Sequence, residues 1–101
     1  MMGYYDRTGG PISLNEWIER FEDEQYQRVD ETILPDGRWV STVWLGLDHS
    51  FGRSAPIIFE TMVFSSRAHG KTSLCCERYA TEAEAIAGHQ RMVEKLKRNG
   101  V

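Results

Sequence analysis

Asp48-His49, Glu60 and His89 are the residues of this 101-residue chain whose types and settings could do chemistry. An aspartate beside a histidine offers a base and its orienting carboxylate. Neighbours on an extended strand point to opposite faces, however, so Asp48 is badly placed to aim the His49 imidazole. The stretch DHSFG has a simpler use, in which the Asp48 carboxylate turns onto the amide of Ser50 and ends a strand as an Asx turn. His49 then stands at a loop mouth as a partner contact. Glu60 lies in IIFETMVF with Ile58 and Met62 on its own side of an extended strand. A carboxylate in that setting is either paired, with Arg78 of the following strand as the available cation, or has a raised pKa suited to acid or base work. Set in a cleft with His49 or His69, an unpaired Glu60 would serve a small hydrolase or transferase. No catalytic residue is assigned outright, and Glu60 and His49 are the candidates.

His89 falls between Ile86 and Val93 on the apolar side of a helical pattern, the place of a core histidine whose nitrogens are satisfied by backbone or a carboxylate. His49, His69, Cys75, Cys76 and Glu60 are spread over four elements with no pair at metal-ligand spacing, so no metal site is expected. Gly9-Gly10 and Gly70-Lys71 lack the pattern and the strand-to-helix setting of a phosphate loop, and no cofactor is expected. SSRAHGK brings Arg67, His69 and Lys71 into one loop, an anion or RNA contact that a solvated charged loop explains equally well. A weak nucleic-acid binder would add Arg53 and a basic helix end, but Phe51 is the one aromatic residue beside such a cation.

The elements that must position these groups are marked by capping and turn chemistry. In SLNEWIERFED, Ser13 and Glu16 form a capping box, and Leu14, Trp17, Ile18 and Phe21 fall at i, i+3, i+4, i+7, which predicts a helix over about 14–23. Thr81 and Glu84 repeat the device, Lys95, Lys97 and Arg98 favour the last turns, and Asn99-Gly100 stops a second helix over about 82–98. Between them the period changes to 2: YQRVDETIL and RWVSTVWLGL flank Asp36-Gly37, a hairpin signal, and PIIFETMVF and TSLCCERY follow as strands. Gly9-Gly10 offers a further small turn. The order predicts a single α+β domain over 1–101, an antiparallel three- or four-stranded meander flanked by a short N-terminal helix and a longer C-terminal one.

Composition and charge narrow the class. Hydrophobic residues make up 41% and charged residues 27%, the balance of a soluble globular chain rather than a disordered one. No apolar run reaches the roughly 20 residues of a membrane span, and the start lacks the pattern of a signal peptide, so no membrane partner and a cytoplasmic location are expected. Adjacent Cys75 and Cys76 suit two thiols in a reducing compartment. Residues 16–31 carry seven acidic side chains against two arginines, whereas residues 53–101 carry eight basic against five acidic ones. Such a dipole can steer a partner or a second copy, but it supplies no basic stripe for phosphates, so nucleic acid is an unlikely partner by charge.

If Asp36-Gly37 is a two-residue turn, Leu34 faces Trp39; if 48–56 closes the next hairpin, Leu47 faces Ile57 and Trp44 faces Glu60. One sheet face then collects Leu34, Trp39, Val43, Leu45, Leu47, Ile57, Phe59 and Val63. The other collects Val29, Ile33, Val40, Trp44, Ile58, Met62 and Phe64, with Glu60 and Thr42 among them. Both faces are apolar, so either each takes one helix, or both helices share a face and the other is an interface to a protein partner or a homo-oligomer.

VSTVWLGLDHSFG, then PIIFETMVF, then ERYATEAEAIAGHQRMV resemble, in that order, small single-domain proteins of unknown function from actinobacteria and their phages and prophages, and the likeness runs from YYDRTGGPISLNEW onward. The resemblance implies a bacterial or phage cytoplasm and a compact product that works by binding a host or viral protein. The leading expectation is therefore a non-enzymatic interaction module, homodimeric or bound to a host protein. Its interface residues would be Trp44, Glu60, Met62, Phe64, His49, Phe51 and Arg53.

Overall fold

Ser13 and Thr81 start the two main helices, as their capping boxes require. In the computed structural model, which describes residues 3–48, 50, 55–66 and 73–98, Ser13 Oγ accepts from the Glu16 amide and Glu16 Oε1 accepts from the Ser13 amide. Helix α1 spans Leu14–Phe21. It stops short of the expected boundary because Asp23 caps a new helical turn, α2 (Glu24–Gln27), with Oδ1 accepting from the Gln25 and Tyr26 amides. Helix α3 covers Glu82–Arg98, with Thr81 Oγ1 accepting from the Glu84 amide. Ahead of α1, strands β1 (Tyr4–Tyr5) and β2 (Pro11–Ile12) pair around the Gly9-Gly10 turn. There Asp6 Oδ1 accepts from the Thr8 hydroxyl and the Thr8 and Gly10 amides, and the Thr8 hydroxyl above all holds its carboxyl below the usual range.

Strands β3 (Arg28–Ile33), β4 (Trp39–Trp44), β5 (Phe59–Phe64) and β6 (Ser73–Tyr79) form one antiparallel sheet in the order β3-β4-β5-β6, an α+β meander. Its register differs by one residue from the sequence expectation at two hairpins. Between β3 and β4 the loop has three residues: Gly37 N donates to Leu34 O, Leu34 N donates to Arg38 O, and Ile33 pairs with Trp39. A two-residue turn would have asked Pro35 for a strand-type N–H that proline lacks. Instead Pro35 takes the position its fixed φ favours, and Gly37 takes the left-handed one at φ +92°. Between β4 and β5, Leu45 N and Gly46 N both donate to Ile58 O, at 2.7 and 3.4 Å, so two residues oppose one in a bulge. Gly46 sits there at φ +74°, where a Cβ would lie 2.5 Å from both Trp17 Nε1 and Trp44 Cζ2. Trp44 therefore faces Phe59, and Val43 faces Glu60. The expectation that Trp44 faces Glu60 is corrected, because the bulge turns the two side chains to opposite faces of the sheet.

One face of the sheet is covered. Trp44, Ile58, Phe59 and Tyr79 are buried with Ala85 of α3, and Tyr5, Ile12, Trp17, Tyr26 and Val29 pack round them. Further along, Leu34, Val40 and Val63 are buried with Met92, flanked by Val93 and Leu96. Both main helices thus serve the same side, α3 lengthwise and α1 through Trp17, whose Nε1 donates to Leu45 O at 2.9 Å. A polar seam runs through this core. His89, 2% exposed, bonds the Thr42 hydroxyl through Nδ1 at 2.7 Å and the Thr32 hydroxyl through Nε2 at 2.8 Å. Threonine hydroxyls thus satisfy the ring, in place of the expected backbone or carboxylate, because β3 and β4 bring Thr32 and Thr42 under the helix. Asp30 is 3.8 Å from Nε2, and burial outweighs it in holding the His89 pKa below its ordinary value. Among the described residues no helix is long and apolar enough to cross a membrane.

Candidate docking face

The alternation that buries Val40, Thr42 and Trp44 under α3 sends Trp39, Ser41 and Val43 to the other side of the sheet. Their strand partners Ile33 on β3 and Phe64, Met62 and Glu60 on β5 share that side, as do Cys76 and Arg78 on β6. Among the described residues no helix lies across this face; only the end of α2 borders it. Glu24, Gln27 and Arg28 line a shallow groove of about 170 Å³ with Trp39, Ser41 and Val43. An antiparallel sheet with one solvated face ordinarily alternates apolar with polar residues. Here the open face carries an aromatic pair, Trp39 and Phe64, with ring centroids 5.0 Å apart, and beside it Ile33, which is 52% exposed.

Among the described residues, two ion pairs lie on the strands of this face. Glu60 Oε2 accepts from Arg78 Nε at 2.9 Å and from the Cys76 thiol at 3.2 Å, so the carboxylate is held by two groups of the neighbouring strand. Its burial, at 8% exposed, comes from the side chains around it, while the Arg78 side chain remains half exposed. Arg28 and Glu31 make a second pair at 3.6 Å. Among the described residues, what results is a mostly apolar surface whose strand charges are paired.

The residues expected at an interface divide three ways. Glu60, Met62 and Phe64 lie on the open face. Trp44 does not: it is fully buried, its Nε1 donating to Tyr5 O at 3.0 Å, and it is corrected from interface to core residue. His49, Phe51 and Arg53 lie outside the described residues, as do Arg67, His69 and Lys71 of the charged loop. Asp48 Oδ1 accepts from the Ser50 amide at 2.8 Å and the Ile57 amide at 3.0 Å, the turn that its sequence suggests. Sequence reasoning missed Trp39 and Val43 as members of this face together with Glu60 and Met62. The signal that could have found them is the glycine inside a strand pattern at Leu45-Gly46-Leu47, which marks a bulge.

A second concavity, of about 550 Å³, opens at the head of α3 between Arg7 and Thr8 on one side and Pro56 and Thr81 on the other. Arg7 is engaged there, with Nε 2.8 Å from Glu82 Oε1 and a terminal nitrogen donating to Tyr26 O. Among the described residues no group of three or more histidine, cysteine or acidic side chains is placed to hold a metal ion. Compared with known protein families, curated proteins and solved structures, the chain matches none.

Proposed function

We propose that this chain is a non-enzymatic protein-binding module, of the kind of the small phage and prophage proteins it resembles, and that it docks through the open face of its sheet. The observation that supports this reading is the asymmetry of covering. Among the described residues both main helices cover one face and α2 only borders the other, which keeps Trp39, Val43, Met62, Phe64 and Ile33 beside the ion pairs Arg78–Glu60 and Arg28–Glu31. A contiguous apolar patch of this kind costs solubility unless something covers it. A catalytic use of Glu60 is the poorer fit, since its carboxylate is taken up by Arg78 and Cys76.

The test compares folding with binding. Val43→Ser and Met62→Gln are expected to lower unfolding stability by less than about 1 kcal/mol, as surface changes do. The same changes abolish capture of the partner by the immobilised protein. A stability loss of about 2–5 kcal/mol, the range for truncated core side chains, with capture unchanged would make this face an ordinary core and refute the reading.

A further inference from the structure

We propose that the occupant of the open face is a second copy of this chain, docked face to face with its strands antiparallel to the first. This rests on the docking reading above and adds the partner and its alignment. The face selects a neutral surface. Arg78 is matched by Glu60 at 2.9 Å and Arg28 by Glu31 at 3.6 Å, so a strongly basic or acidic partner finds no unmatched charge among them, while a copy of the same face brings both signs in equal number.

The alignment follows from the two ends of the molecule. Glu19, Glu22, Asp23 and Glu24 stand where β4 finishes, because Trp17 and Tyr26 pack with Trp44. Lys95, Lys97 and Arg98 stand where β4 begins, because Met92 and Leu96 pack with Leu34 and Val40. A twofold axis between the sheets and perpendicular to the strands places each acidic end nearer the basic end of the other copy, whereas an axis along the strands places like nearer like, a long-range effect because these charges stand on helices behind the sheets. In the favoured arrangement the axis passes Ser41 and Met62, which pair at mid-strand, and each Trp39–Phe64 end covers the Val43–Glu60 end of the other copy.

Four strands about 4.8 Å apart and about 20 Å long give roughly 400 Å² in projection, below the roughly 800 Å² per side of a standard stable interface, so the dimer is a weak and reversible one.

Sedimentation of the full chain between about 1 μM and 1 mM tests this, spanning the dissociation constants of weak complexes. The expected result is a reversible monomer–dimer equilibrium that Ile33→Arg weakens at least tenfold, since it sets a cation against the Arg28 of the other copy. Ile33 is 52% exposed, so this variant keeps its fold. Val43→Arg has the same effect, and Ile86→Arg, on the outward side of α3, has none. A chain that stays monomeric to about 1 mM overturns the second copy and leaves the docking face to a different protein. A dimer that neither open-face substitution weakens overturns the docking reading as well. Lys95→Glu combined with Lys97→Glu is expected to weaken the dimer several-fold at low ionic strength but little at about 0.5 M salt, where end charges are screened; equal dimerisation under both conditions overturns the antiparallel alignment.

Discussion

Glu60 shows how a residue that looks reactive in sequence is quietened by its neighbours. It lies among apolar side chains, as IIFETMVF requires, and the carboxylate is closed by Arg78 and Cys76 across the β5–β6 ladder. That pairing was legible, because Glu60 and Arg78 are register partners on adjacent strands. His89 carries the opposite lesson: its burial was legible from helical spacing, but its threonine partners were not, since they depend on which side of the sheet Thr32 and Thr42 face. Its depressed pKa gives stability a defined pH dependence. The folded protein keeps His89 neutral while the unfolded chain takes up a proton near the ordinary value of about 6.5, so His89 leaves stability unchanged above that pH and lowers it as the pH falls toward the folded value. Urea unfolding at pH 7.5 and 5.5 checks this: the loss on acidification is expected to shrink in His89→Gln, whose amide can still bond the two hydroxyls. An unchanged loss would assign the acid sensitivity to other groups.

Two positive-φ glycines account for the strand register that the residue pattern did not reveal. Both main helices and all four long strands follow from capping boxes and period, because those signals are local, whereas the short α2 does not. Register is not local: Gly37 adds a residue to the β3–β4 turn and Gly46 adds one to β4, and each addition moves side chains to the opposite face. The first was readable from Pro35, which cannot donate in a strand pair, and the second from a glycine interrupting WLGL. Substitution is expected to expose the difference between conformation and space. Gly46→Ala is destabilised twice over, by positive φ and by the Trp17 and Trp44 rings that occupy its Cβ position. Gly88→Ala, inside α3, would gain about 1 kcal/mol from helix propensity alone. The Tyr79 ring lies where the new methyl group must go, so the expected outcome in thermal unfolding is a net loss of about 1–3 kcal/mol, the usual cost of overpacking. A stabilised Gly88→Ala protein would show that Tyr79 moves freely.

Among the described residues the molecule is a sheet whose two main helices cover one side, with acidic side chains gathered at one end and basic ones at the other. The charge split was legible by counting residues, and so was the surplus of apolar side chains over what two short helices can cover. Which residues that surplus leaves uncovered was not legible, because the answer turns on the two added residues: Trp44, placed at the interface by alternation alone, is core, and Trp39 takes its place outside. Trp17 of α1 packs beside Trp44 in the core, whereas Trp39 stands apart from both on the open face. Fluorine NMR of protein labelled with 5-fluorotryptophan, recorded from dilute to concentrated solution and assigned with Trp39→Phe, tests the central claim most directly. The account predicts that the Trp39 signal moves with concentration while those of Trp17 and Trp44 stay fixed. A Trp39 signal that holds its position across the series, or a shift carried by Trp17 or Trp44 instead, would contradict it.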